Sequence, residues 1–300
     1  MKIKLILIFA LVALTVSGQK VVKSTAKAKF EKIVDEMLKD GGQKAGLAGI
    51  CPVGSDPTAR RIFAEYGAVF ISDNVMLPDK CIYENESEVQ GFQAQPEKQT
   101  AQIGRVSIVL QKAAMEALLK ARKDALKAGL NITPNGDSTA ATRSFGNTET
   151  FWNKKLVNGL AHWIGLKKIT AAEAEAAKRL PIRAQIVRVL EWEKAGIFFS
   201  KDFSKSILYS VAAPGASQHI FMLALDVAQY SNPKVREILA RHGWFQTVAS
   251  DLPHFTYLGV VEDDPRVRET KLEELGLRKV TISRQDFWVP DMTLEEIPVK

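Results

Sequence analysis

The chain of 300 residues has few of the residues that build thiolate metal centres, with 2 cysteines and 4 histidines. Cys51 and Cys81 are far apart in sequence, whereas structural zinc sites commonly use closely spaced CxxC pairs. A single disulfide between them is therefore more plausible than zinc ligation, and it would suit an exported protein. No Lys/Arg-rich block with interleaved aromatic residues accompanies the formal charge of +7. We therefore expect no nucleic-acid partner, although a modest positive charge suits an anionic polymer such as a cell wall.

Long hydrophobic runs are also lacking, apart from one near the start of the chain. Residues 5–16 (LILIFALVALTV) follow Lys2 and Lys4, and the small residues Ser17 and Gly18 come next. Twelve residues are too few to span a bilayer, which needs about 20. The pattern is typical of a secretory signal peptide, residues 1–18. We expect an exported protein, periplasmic or extracellular, with no stable membrane span after signal cleavage.

No internal repeat or low-complexity linker divides the remaining sequence. We predict an N-terminal accessory region at 19–100, a main domain at 101–260 with a helical insertion at about 151–197, and a C-terminal extension at 261–300. Hydrophobic periodicity and caps predict the local elements. The predicted helices cover 20–40, 106–128, 151–167, 170–197 (interrupted at Pro181) and one from Asn232. The predicted strands cover 61–72 (a strand or hairpin), 130–133, 197–199, 207–209, 221–227 and 252–258.

Two short segments carry the residues with the clearest chemistry. His219 and Asp226 are seven positions apart after a Pro-Gly turn, and Asp251 and His254 are three positions apart. Two imidazoles and one carboxylate are the ligands of an open catalytic zinc site. A further carboxylate would take a proton from water, as metal hydrolases require. The alternatives are ordinary ones: a surface His219, a helix-capping Asp226 and a core His254.

The first segment, Ser217-x-His219-x6-Asp226, resembles the SxHxxGxAxD signature of the zinc D-alanyl-D-alanine carboxypeptidases of the VanY type, in the LAS metallopeptidase group. The family takes its third ligand from a later ExxH element, which here is Asp251 to His254. The resemblance implies that one Zn²⁺ is bound by His219, Asp226 and His254. It also implies that Asp251 is the general base and that Ser217 supports the site or the substrate.

A weaker likeness lies upstream, where Arg143 and Ser144 match the Arg-Ser pair of the family's GYRSxxxQ-like element. The family's Arg grips the terminal carboxylate of the substrate, a task that suits its planar, two-pronged donor group. The sequence departs from the pattern at Met222, where the family has Gly, and at Asp251, where it has Glu. The family's Gln after the Arg-Ser pair has no clear equivalent.

The resemblance, which covers about residues 110–260, implies an α+β fold. A small central antiparallel sheet would carry the zinc site, flanked by helices and with a large helical insertion. It implies a D,D-carboxypeptidase that trims C-terminal D-alanine from peptidoglycan peptides. Two alternatives stay open: an endopeptidase of the same fold, and a non-catalytic, zinc-stabilised wall-binding module. A serine hydrolase is a weaker candidate because the chain has no GxSxG element. His162 and His242 lack ligand spacing, and the sequence does not indicate an oligomeric state.

Overall fold

The computed structural model describes residues 29–249 and 251–292, so the predicted signal peptide lies outside the described residues. Helices make up most of its regular structure. In the described ranges the helices are α1 (Lys29–Asp40), α2 (Gly46–Ile50), α3 (Pro57–Tyr66), α4 (Glu86–Gln93), α5 (Lys112–Lys127), α6 (Phe145–Gly165), α7 (Ala171–Lys178), α8 (Ile182–Lys194), α9 (Pro233–Arg241) and α10 (Pro265–Glu274). None of these helices is long and apolar enough to cross a bilayer.

Three small antiparallel sheets complete the described part of the fold. Their strands are β1 (Lys98–Ile103), β2 (Val106–Gln111), β3 (Ala224–Asp226), β4 (Trp244–Phe245), β5 (His254–Tyr257), β6 (Leu277–Ile282) and β7 (Gln285–Pro290). The central sheet has the order β3-β5-β4, and β1-β2 and β6-β7 form separate two-stranded sheets. The α+β prediction, with a small antiparallel sheet among helices, is confirmed.

The prediction of a strand or hairpin at residues 61–72 is wrong. This segment belongs to α3 and to a following 3₁₀ helix at Gly67–Ile71. The helix starts before the segment, where the Asp56 carboxylate accepts hydrogen bonds from the backbone N–H groups of Thr58 (2.8 Å) and Ala59 (3.0 Å). An N-cap Asp followed by Pro57 is a strong helix start, and it outweighs the local strand pattern.

The predicted helix at 106–128 combines two elements. Residues 106–111 (VSIVLQ) form β2, and α5 begins only at Lys112. A short apolar run rich in β-branched residues fits a strand as well as a buried helix, so periodicity alone did not separate the two. The predicted strand at 207–209 is also wrong, because Ile207–Tyr209 is a 3₁₀ turn.

Two hydrophobic cores lie behind these elements. The larger one joins α1, the central sheet and the C-terminal hairpin, through residues such as Phe30, Phe255 and Trp288. The smaller one lies among α6, α7 and α8 and includes the fully buried Trp152. Each large apolar side chain buried in this way contributes roughly 1.5–3 kcal/mol, so these three helices have packing of their own.

The chain just before the His219 segment is held by a contact with an earlier loop. Cys51 and Cys81 form a disulfide, and the backbone N–H of Tyr83 donates to the Gly215 carbonyl at 2.9 Å. Gly215 has φ +78°, and a Cβ built there would lie 1.8 Å from the Tyr83 carbonyl oxygen. Only glycine fits at this close approach, so the Pro-Gly turn can pack against Tyr83 only with glycine at position 215.

Candidate metal centre

The central sheet and one 3₁₀ turn bring the predicted ligands together. Asp226 ends β3 and His254 begins β5, and the antiparallel register pairs these two residues directly. His219 lies in the 3₁₀ helix Gln218–Phe221, which ends at Met222 in the left-handed conformation. The two strand residues therefore face the turn that carries the third.

Three atoms of these side chains form a nearly equilateral triangle. His219 Nε2 and His254 Nδ1 are 3.1 Å apart, and each lies 3.3 Å from Asp226 Oδ1. Ligand atoms bound to one tetrahedral zinc ion at 2.0–2.1 Å would be about 3.3 Å from one another. In the part of the chain that the structure describes, these three residues form the site that could hold a metal ion. The spacing and the donor types both fit zinc.

The site favours the ligand forms of its side chains. Burial lowers the pKa of His219 to about 4; Arg143 acts in the same direction, and Asp226 opposes it. Burial alone would raise the pKa of Asp226, but His219 and His254 hold it well below the ordinary value for an aspartate. A neutral imidazole and an ionised carboxylate are the forms that bind a divalent cation, so near neutral pH little proton release would be needed there.

Gln218, a residue that the sequence interpretation missed, contacts one of the predicted ligands directly. Its Oε1 lies 2.8 Å from His254 Nε2, on the side of the ring opposite the triangle. His219 differs, since its buried Nδ1 has no hydrogen-bond partner among the described residues. The contact between Gln218 and His254 has no sequence signal of its own, because Gln218 occupies an unspecified position of the SxH motif.

Arg143 lies beside the triangle and contacts Asp226. Its Nη2 donates to Asp226 Oδ2 at 2.8 Å, and its Nε donates to the Thr139 carbonyl at 2.9 Å. The guanidinium also lies over the ring of Phe151, 5.0 Å from its centroid. Asp226 therefore presents one oxygen to the triangle while Arg143 holds the other.

The two predicted serines have different surroundings. Ser144 caps α6: its hydroxyl accepts from the Asn147 N–H, and the Asn147 side chain accepts from the Ser144 N–H, both at 3.0 Å. Ser217 is buried at the start of the 3₁₀ helix that carries His219. The Ser144 hydroxyl is thus used to cap α6 beside Arg143.

Asp251 is half-buried and precedes β5 by three residues. Burial raises the pKa of its carboxyl; His254 and Arg143 lower it and Asp226 raises it, with a net rise. Two members of the triangle, Asp226 and His254, therefore act on the charge of this carboxyl. A raised pKa suits a group that must both take up and release a proton.

Comparison with known proteins gives one distant structural likeness. No family model matches the sequence, and no curated protein matches it. The chain is similar to the crystal structure of a mutant of the vancomycin resistance D,D-pentapeptidase VanY, from a VanB-type resistance cassette, in complex with Zn(II). The identity is 17%, the TM-score is 0.33, and the match covers 55% of this chain and 82% of the other.

Proposed function

We propose that the protein is an exported zinc-dependent metallopeptidase, a D,D-carboxypeptidase that removes C-terminal D-alanine from peptidoglycan peptides. The observation that carries the proposal is the triangle of His219 Nε2, Asp226 Oδ1 and His254 Nδ1, whose edges of 3.1, 3.3 and 3.3 Å suit one tetrahedral ion. The substrate class follows from the motif resemblance around these residues.

Each residue then has a defined task. His219, Asp226 and His254 hold the ion, which when bound would polarise the scissile carbonyl and lower the pKa of a water molecule. Asp251 accepts the proton of the attacking water and returns it to the leaving amine, a role that its raised pKa supports. Arg143 has five N–H donors, of which the bonds to Asp226 and Thr139 use two, so donors remain for a terminal carboxylate.

Zinc content and D-alanine release test the proposal together. The purified mature chain should contain one zinc ion per molecule and release D-alanine from peptides that end in D-Ala-D-Ala. Asp251→Asn should keep the zinc and lose about 10²–10⁴-fold in turnover, which is the usual contribution of a general base. His254→Gln should lose the zinc.

His242→Gln is a matched control for the ligand variant. His242 also contacts a carboxylate, with its Nε2 3.0 Å from Asp124 Oδ2, but among the described residues no third ligand group joins that pair. This control should keep both zinc and activity. A wild-type protein without stoichiometric zinc, or an Asp251→Asn variant with full turnover, would contradict the proposed mechanism.

The contacts of Arg143 favour a second candidate, an endopeptidase of the same fold. An endopeptidase needs no anchor for a chain end, and Arg143 is already bonded to Asp226 and Thr139. Matched peptides with a free or an amidated C-terminus separate the two activities without mutation. A carboxypeptidase should lose most of its activity on the amidated peptide, whereas an endopeptidase should cleave both equally. Zinc binding without any cleavage would instead support a non-catalytic wall-binding module.

Export is a separate part of the proposal. It rests on the predicted signal peptide, residues 1–18, and is supported by the Cys51–Cys81 disulfide, because such bonds persist in oxidising compartments. Expression of the full chain in a bacterium, followed by fractionation and N-terminal sequencing, tests it. Mature protein that begins near residue 19 outside the cytoplasm is expected, and an uncleaved cytoplasmic chain would contradict it.

A further inference from the structure

The side-chain amide of Gln218 is fixed in one orientation. Gln218 is 1% exposed, and its Nε2 lies 2.8 Å from the Tyr66 carbonyl oxygen. A carbonyl oxygen only accepts hydrogen bonds, so the NH₂ group must point toward Tyr66 and the Oε1 must point away from it. The hydroxyl of Thr256 donates to Oε1, and the hydroxyl of Thr247 lies 3.5 Å from it.

This orientation determines which nitrogen of His254 carries the proton. Oε1 is an acceptor, and it lies 2.8 Å from His254 Nε2. For this contact to be a hydrogen bond, Nε2 must carry the proton, and in the neutral ring the other nitrogen, Nδ1, then keeps its lone pair. That lone pair faces His219 Nε2 at 3.1 Å and Asp226 Oδ1 at 3.3 Å.

The opposite tautomer would lose the bond to Gln218, because a bare Nε2 would face the lone pairs of Gln218 Oε1. Its Nδ1–H would donate to Asp226 Oδ1 and occupy the centre of the triangle, where it would exclude a metal ion. His219 has no comparable control, because its Nδ1 has no partner among the described residues. Of the two imidazole ligands, only His254 therefore has a described side chain that selects its tautomer.

We propose that Gln218 is a positioning residue that holds His254 as the Nε2–H tautomer, so that Nδ1 is ready to bind the metal ion. The metal part of this inference rests on the proposed zinc function. Partners of this kind typically change metal affinity by 10–100-fold when they are replaced.

The first experiment needs no metal. Nitrogen-15 NMR of the imidazole groups in the metal-free protein, at a pH where the rings are neutral, reports the tautomer of His254. The Nε2–H form is expected in the wild type, and a mixture is expected in Gln218→Met, which keeps the length of the side chain but not its acceptor. A wild-type ring protonated at Nδ1, or an unchanged tautomer in the folded variant, would overturn the inference.

The second experiment measures zinc affinity by competition with a chromogenic chelator. Gln218→Met should bind zinc about 10–100-fold more weakly than the wild type. Gln218→Glu keeps an acceptor for His254 Nε2 and should bind zinc more tightly than Gln218→Met. Equal affinities for the wild type and a folded Gln218→Met would contradict the positioning role.

Gln185→Met is the matched control. Gln185 is also buried, accepts a ring N–H from Trp152 at 2.8 Å, and donates to the Ala177 carbonyl at 3.2 Å, all within the helical insertion. This variant should leave the zinc affinity unchanged, and an equal loss there would mark a general packing effect and overturn the inference. If the wild type binds no zinc, the proposed function fails, while the tautomer measurement still decides the role of Gln218.

Discussion

Met222 lies in a backbone conformation that favours glycine, and this makes a specific stability prediction. It has φ +56° and ψ +33°, directly after the 3₁₀ helix that carries His219. The side chain is 1% exposed, so it is part of the core. The position therefore combines an unfavourable backbone with favourable packing, and two substitutions can separate these contributions.

The expected magnitudes follow from these two properties. Met222→Ala removes the buried side chain and keeps the strained backbone, at a cost of about 2–5 kcal/mol in the free energy of unfolding. Met222→Gly removes the same side chain and one further methyl group but relieves the left-handed strain, which is about 1–2 kcal/mol for a residue with a Cβ. Met222→Gly should thus be about 1 kcal/mol more stable than Met222→Ala, although both are less stable than the wild type.

Urea unfolding of the two variants measures this difference directly. Ala121, fully buried in the middle of α5, provides the control, because glycine there has no strain to relieve. Ala121→Gly should lose about 1 kcal/mol or more, the usual order for an interior helical position. If Met222→Ala is as stable as Met222→Gly, the left-handed strain at Met222 is not present in solution and the reasoning is refuted.

Three further substitutions test other parts of the fold. Gly215→Ala should destabilise the protein by several times the roughly 1 kcal/mol of ordinary strain, since its Cβ would lie 1.8 Å from the Tyr83 carbonyl oxygen; a midpoint of thermal unfolding close to the wild type would contradict this. Burial raises the pKa of Glu193 to about 7, against the bonds from Ser206 and Ile207 that lower it. The folded state therefore holds this proton more tightly than the unfolded state. Stability should fall by about 3 kcal/mol as the pH rises from about 4.5 to about 7, and Glu193→Gln should remove that dependence in urea titrations at several pH values. Replacing Cys51 and Cys81 by serine opens a loop with a sequence separation of 30 and should cost about 3–4 kcal/mol, measured by calorimetry; an unchanged transition would mean that the bond is absent in the wild type.

The sequence was enough to select the three residues of the triangle but not to describe their surroundings. His219, Asp226 and His254 were selected because two imidazoles and a carboxylate match a zinc ligand set and because their two motifs resemble those of the VanY-type family. Gln218 was not selected, because its contact with His254 depends on where the Tyr66 carbonyl lies in the fold. Glutamine and asparagine side chains follow no sequence motif comparable to that of a zinc ligand set, so the role of Gln218 emerges only from the tertiary structure.

The secondary structure shows the same division between local and distant information. α7 and α8 were predictable because Thr170 caps one helix and Pro181 separates it from the next. The errors at 61–72 and 106–111 arose where a short apolar run fits either a strand or a helix. In the first case Asp56 and Pro57 decided the outcome, and in the second the pairing of β2 with β1 did so.

The segment that carries His219 also explains why residues far from the motif matter for the site. A 3₁₀ turn that ends in a left-handed residue leaves backbone carbonyls without regular partners, and buried carbonyls need hydrogen bonds. The Nε2 of Gln93, at the end of α4, donates to the Ile220 carbonyl at 2.9 Å. The Nε2 of Gln111, at the end of β2, donates to the Phe221 carbonyl at 2.9 Å. Because both donors come from parts of the chain more than a hundred residues earlier, the position of His219 depends on the folding of those parts as well as on its own motif.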